Sequence, residues 1–134
     1  MKVLTGLVSA LLVSPSALMV MPAAHADPYP HTVDTTCHAR LQDSTITRRI
    51  KPQVAFRITT QGNATPNARV GIRISRDSNE RTVLRTSRYY SGGTENWAFP
   101  RLKAGRYTIV FRAQTAARSV YKNCSDASFL RVTR

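Results

Sequence analysis

The stretch Arg106-Tyr107-Thr108-Ile109-Val110-Phe111-Arg112 decides the fold. Tyr107, Ile109 and Phe111 fall on one side of an extended chain and Arg106, Thr108, Val110 and Arg112 on the other, because successive side chains of a strand point to opposite faces. The same period appears upstream. Val54, Phe56 and Ile58 alternate with Gln53, Ala55, Arg57 and Thr59, and Val70, Ile72 and Ile74 alternate with Arg69, Gly71, Arg73 and Ser75. Across 127–133, Leu130 and Val132 face away from Phe129, Arg131 and Thr133. Arg81 to Tyr90 reads as a less regular strand, and Trp97 with Phe99 as a short one stopped by Pro100. Turn formers separate these runs at Gly62-Asn63, Pro66-Asn67, Asp77-Ser78-Asn79 and Ser91-Gly92-Gly93. No helical spacing of apolar residues persists beyond the N-terminal segment. Strands with one apolar face must bury it against a second layer, so the expected architecture is an all-β antiparallel sandwich of about seven strands.

Residues 1–26 have the layout of an export signal. Lys2 gives a positive start, an apolar stretch runs from Val3 to Val13, and a second apolar patch after Pro15 leads to Ala24-His25-Ala26. An uncleaved membrane anchor is the competing reading, since no charged side chain lies between Val3 and Ala26. Pro15, Pro22 and the small residues at the Ala-x-Ala site favour cleavage after Ala26, which leaves no transmembrane segment in the mature chain. The remaining 108 residues suit one domain with a single core. All seven acidic residues and all but Lys2 of the 20 basic residues lie there, giving a side-chain charge of +12 in which arginine greatly outnumbers lysine.

Two cysteines remain, Cys37 and Cys124, and in an exported chain an even count implies a disulfide. A zinc site would need more ligands at closer spacing. Residues 27–43, with Pro28 and Pro30, read as an extended lead-in carrying the first cysteine, and 44–134 as the sandwich domain.

Leu102-Lys103-Ala104-Gly105-Arg106-Tyr107 resembles the tyrosine corner of immunoglobulin-type sandwiches. Around it, the order of elements resembles the bacterial immunoglobulin-like domains that recur in surface and secreted proteins. The points of similarity are Lys51-Pro52-Gln53-Val54, Thr65-Pro66 before Val70-Gly71-Ile72, Trp97-Ala98-Phe99-Pro100 running into the corner, and Val120-Tyr121-Lys122 followed by Leu130-Arg131-Val132-Thr133. The resemblance covers nearly all of 44–134. It implies a buried Tyr107 ring whose hydroxyl bonds to backbone just upstream, with Leu102 and Gly105 shaping the approach. The cysteines depart from the antibody pattern: the bridge would tie the lead-in to the hairpin before the last strand, and Ile109 stands two residues after the corner tyrosine.

No nucleophile with its base, carboxylate pair or metal cluster has recognisable spacing, so the sequence points to a binding module without a cofactor rather than an enzyme. A metal-dependent activity at His31 and His38, near Asp34, is a distant alternative. Asn63-Ala64-Thr65 and Asn123-Cys124-Ser125 match a glycosylation triplet that arises often by chance. The positive feature is charge. If the strands at 69–75, 106–114 and 127–133 share a sheet, as the resemblance implies, then Arg69, Arg73, Arg106, Arg112 and Arg131 stud one outward face. Guanidinium groups pair with phosphates and carboxylates, so the expected partners are an anionic cell-envelope polymer, lipid head groups or an acidic protein. Few aromatics lie among these charges, and no specific nucleic-acid readout is expected. A disulfide-stabilised structural module of the cell surface, with incidental charge, is the alternative.

Overall fold

A computed structural model describes residues 31–62 and 66–134. Residues 1–26, where the sequence suggests an export signal, and the triplet at 63–65 lie outside the described residues. Eight strands follow one another: β1 (Thr35–Leu41), β2 (Thr45–Thr47), β3 (Gln53–Thr60), β4 (Ala68–Arg76), β5 (Arg81–Tyr90), β6 (Glu95–Ala98), β7 (Gly105–Thr115) and β8 (Cys124–Thr133). They form two sheets, one ordered β1-β3-β6 and the other β2-β8-β7-β4-β5. Every pairing is antiparallel except that of β2 with β8. The protein is an all-β sandwich, and this topology is compatible with an immunoglobulin-like one.

The alternation legible in the sequence becomes the core. Val54, Phe56 and Ile58 from β3 meet Val70, Ile72 and Ile74 from β4, Tyr107, Ile109 and Phe111 from β7, and Leu130 and Val132 from β8, all of them buried. Phe56 stands at the centre. Its ring stacks on Trp97 at 4.9 Å and on Phe111 at 5.8 Å, and meets Tyr90 edge-on at 5.5 Å between centroids. Tyr90 also ties the layers together. Its hydroxyl donates to the Gly93 carbonyl at 2.6 Å and accepts the Ile58 N–H at 3.1 Å, beyond the point where β6 stops pairing with β3.

The sandwich starts earlier than Ser44, because β1 lies inside the stretch 27–43. Of its inward residues Cys37, Ala39 and Leu41 only the last is a large hydrophobe, so no apolar run marks it in the sequence. β1 pairs with β3 along one edge only, and side chains from β8 seal the other: the Ala39 N–H donates to Asp126 Oδ2 at 2.8 Å and Ser128 Oγ donates to the Ala39 carbonyl at 2.7 Å. Upstream, Thr32 and Val33 donate to the Val120 carbonyl and Lys122 donates back to Val33. The disulfide Cys37–Cys124 closes the same seam, with Cα atoms 5.6 Å apart and a sequence separation of 87. It differs from the expected link between lead-in and hairpin. Cys37 lies in the middle of β1 and Cys124 begins β8, so the bridge joins the two sheets at the side of the sandwich.

At the corner, the Tyr107 ring is buried and its hydroxyl donates to the Lys103 carbonyl at 2.6 Å. Gly105 has φ +153, and a Cβ there would come within 3.0 Å of the Arg76 guanidinium. Arg76 in turn donates to the Ala104 carbonyl at 2.5 Å and lies over the Tyr107 ring. Leu102 packs against the core beside them.

Candidate anion-binding face

The five-stranded sheet buries one side and shows the other to solvent. β4, β7 and β8 do share this sheet, and Arg69, Arg73, Arg106, Arg112 and Arg131 are all exposed on its outer side. The register fixes their neighbours. Arg106 lies directly opposite Arg131, Gly71 opposite Arg112, and Arg73 opposite Val110. From the far side of β4, β5 adds a sixth arginine that the sequence pattern did not single out: Arg85 lies directly opposite Arg73, with Ser87 opposite Gly71 and Tyr89 opposite Arg69.

The outward positions of these strands hold no carboxylate. On β7 they are Arg106, Thr108, Val110, Arg112 and Gln114, and on β8 they are Ser125, Ala127, Phe129, Arg131 and Thr133. Asp77 lies at the margin, in the turn after β4, where its Oδ1 accepts from Thr108 Oγ1 at 2.6 Å. Among the described residues the one ion pair is Lys122 with Asp34, away from this face. Arg69 reaches Ser87 Oγ at a long 3.4 Å. Within the described residues, Arg73, Arg85, Arg106, Arg112 and Arg131 have no side-chain hydrogen bond or ion-pair partner.

Two cross-strand pairs therefore put like charges face to face, an arrangement that destabilises a sheet. Two unit charges separated in water by on the order of 7 Å repel by roughly half a kcal/mol, a cost small enough for the fold to carry. Two other arginines show what a satisfied guanidinium looks like in this protein. Arg76 is held as described at the corner, and Arg88 lies 5.8 Å from the Phe99 ring centroid and donates to Thr86 Oγ1 at 3.0 Å. Exposed aromatics stand at opposite ends of the face, Phe129 at 70 % exposure and Tyr89 at 62 %.

The two histidines do not converge. His31 Nδ1 lies 2.7 Å from the Tyr121 carbonyl, and His38 Nε2 lies 2.9 Å from Thr59 Oγ1. Among the described residues no three His, Cys, Asp or Glu side chains group as metal ligands, and no helix is long and apolar enough to cross a membrane. Asn123 of the second glycosylation triplet is engaged, its Oδ1 accepting the Thr115 N–H at 2.9 Å. No protein-family model matches the chain, and no curated protein sequence matches it.

Proposed function

We propose that this protein is a secreted or envelope-associated immunoglobulin-like binding module whose arginine face engages an anionic polymer or an acidic partner. The observation that carries the reading is the set of exposed arginines, two pairs of them directly opposed, on a face with no strand carboxylate to balance them. An anion laid across the face supplies the missing countercharge and turns a small repulsion into attraction. Guanidinium groups suit that role because they are weakly hydrated and bind oxyanions through two parallel bonds. The disulfide agrees with folding in an oxidising compartment.

Assembly through sheet edges is the competing structural role, and the edges give it less support. β2 has three residues and β6 has four. β5 is long, but it carries Arg81, Arg85 and Arg88, with Arg88 turned toward the other sheet, and charges so placed oppose pairing with a second strand.

The test compares two variants of equal net charge in cosedimentation with the producing organism's cell-wall and membrane fractions. Changing Arg73, Arg106 and Arg112 together to glutamate is expected to abolish retention. Changing Arg40 and Arg57 on the three-stranded sheet, together with Arg118 in the connection before β8, likewise to glutamate is expected to weaken it only modestly. Equal losses from both triple variants would show that net charge alone drives binding, and undiminished retention of the first would remove the face from the account.

A further inference from the structure

Gly71 occupies the middle of β4, where a glycine weakens a strand relative to alanine. Its backbone does not require it. It is not among the glycines with positive φ, and a Cβ built on it would meet only the Arg112 carbonyl oxygen, at 3.9 Å, an ordinary contact. No neighbouring backbone crowds the position from the solvent side. A strand glycine often marks a bulge, a bend or a site where a ligand or another backbone comes close to the main chain, and the first two do not apply at Gly71, since the register shift in β4 falls between Ile74 and Ser75.

What surrounds Gly71 says what that is. Arg69 and Arg73 flank it along β4, Arg112 lies opposite on β7, and Arg85 lies diagonally across on β5 next to Ser87. A depression of about 280 Å³ lies here on the arginine face, with Gly71 and Val110 among the residues that line it. A water molecule occupies about 30 Å³ of liquid, so the depression accommodates a hydrated oxyanion with room to spare.

We infer that this depression is a phosphate-binding cradle, in which the four guanidinium groups surround one phosphate of a linear polyanion and Gly71 lets that group sit against the sheet. The inference rests on the binding role proposed for the face and names the group bound there. A tetrahedral phosphate offers oxygens in several directions to forks arriving from several sides, whereas a carboxylate offers two in one plane. The second arginine pair, Arg106 and Arg131, lies six residues further along β7 and so about 20 Å away. A flexible chain spans that distance with successive charges. A flat membrane surface would rest on the arginine tips and leave the recess empty.

The experiment uses Gly71→Leu, which fills the recess and keeps every charge, with Gly71→Val as a second filling variant should the first misfold. Both are expected to unfold at or above the wild-type temperature, since a branched or longer side chain suits a strand better than glycine. Binding is measured to inorganic polyphosphate, to polyglutamate of matched length and to phosphatidylglycerol vesicles. Support requires wild type to favour polyphosphate over polyglutamate and the filled variants to lose about tenfold or more on polyphosphate alone. Polyphosphate binding unchanged by the filled variants would overturn the cradle and leave the arginine face standing. Equal preference for polyglutamate, or for vesicles with no effect of filling, would also overturn it. Absence of binding to all three would overturn both the cradle and the broader reading of the face.

Discussion

Replacing Cys37 and Cys124 together by alanine is expected to lower the stability of the folded domain by about 4 to 5 kcal/mol. The bridge closes a loop across 87 positions, and in the chain-entropy description a loop of that length restricts the unfolded chain by this amount. For a domain near 100 residues the loss lowers the melting temperature by on the order of 20 °C. The variant still folds, because other contacts hold the seam. Ala39 remains bonded to Asp126 and Ser128, and Thr35 Oγ1 donates to the Lys122 carbonyl at 2.8 Å. Chemical denaturation followed by circular dichroism is predicted to show a β-rich variant with a much lower midpoint. Hydrogen exchange should locate the earliest opening in β1. A change under about 1 kcal/mol would show that the bridge adds little to the pairing of β1 with β3 and its side-chain seal.

Phe56→Ala is the second large effect, with an expected loss of about 3 to 5 kcal/mol. Phe56 is fully buried and is the ring on which Trp97, Phe111 and Tyr90 all converge, so its removal leaves a cavity bordered by aromatics fixed in both sheets. The bordering rings also lose their mutual geometry, which contributes beyond the buried area. Phe129→Ala is the matched control: the same deletion at a side chain 70 % exposed should change stability by no more than about 0.5 kcal/mol. Urea titration of both variants separates them, and similar losses would contradict the placement of the core.

The contrast between these two phenylalanines was readable from the alternation. Phe56 shares a face with Val54 and Ile58, while Phe129 alternates with Leu130 and Val132. Half-buried central strands print their orientation in a period of two, so β3, β4, β7 and most of β8 were legible, and with them Arg69, Arg73, Arg106, Arg112 and Arg131. β5 was harder because it has no apolar face. It edges a five-stranded sheet covered by a three-stranded one, its inward residues Leu84, Thr86 and Arg88 are only half-buried before Tyr90 enters the core, and Arg85 went unnoticed as a result. β2 contributes one buried residue, Ile46, and pairs with β8 far along the chain, which no local pattern reveals. β1 was hidden by its mostly small inward residues and by a seal made of Asp126 and Ser128. Gly71 could be seen to alternate with Val70 and Ile72, but its importance depends on Arg112 and Arg85 arriving beside it from β7 and β5. That is a matter of register rather than of sequence neighbourhood.

If the six exposed arginines act together as a countercharge surface, as proposed, the salt dependence of binding reads that number directly. Each anionic charge neutralised releases a bound counterion, so the logarithm of affinity falls linearly with the logarithm of salt concentration. With all six engaged, affinity of the wild-type protein for polyphosphate should fall by a factor on the order of several hundred to a thousand between about 50 and 200 mM salt. A nearly flat response over that range would contradict the central claim.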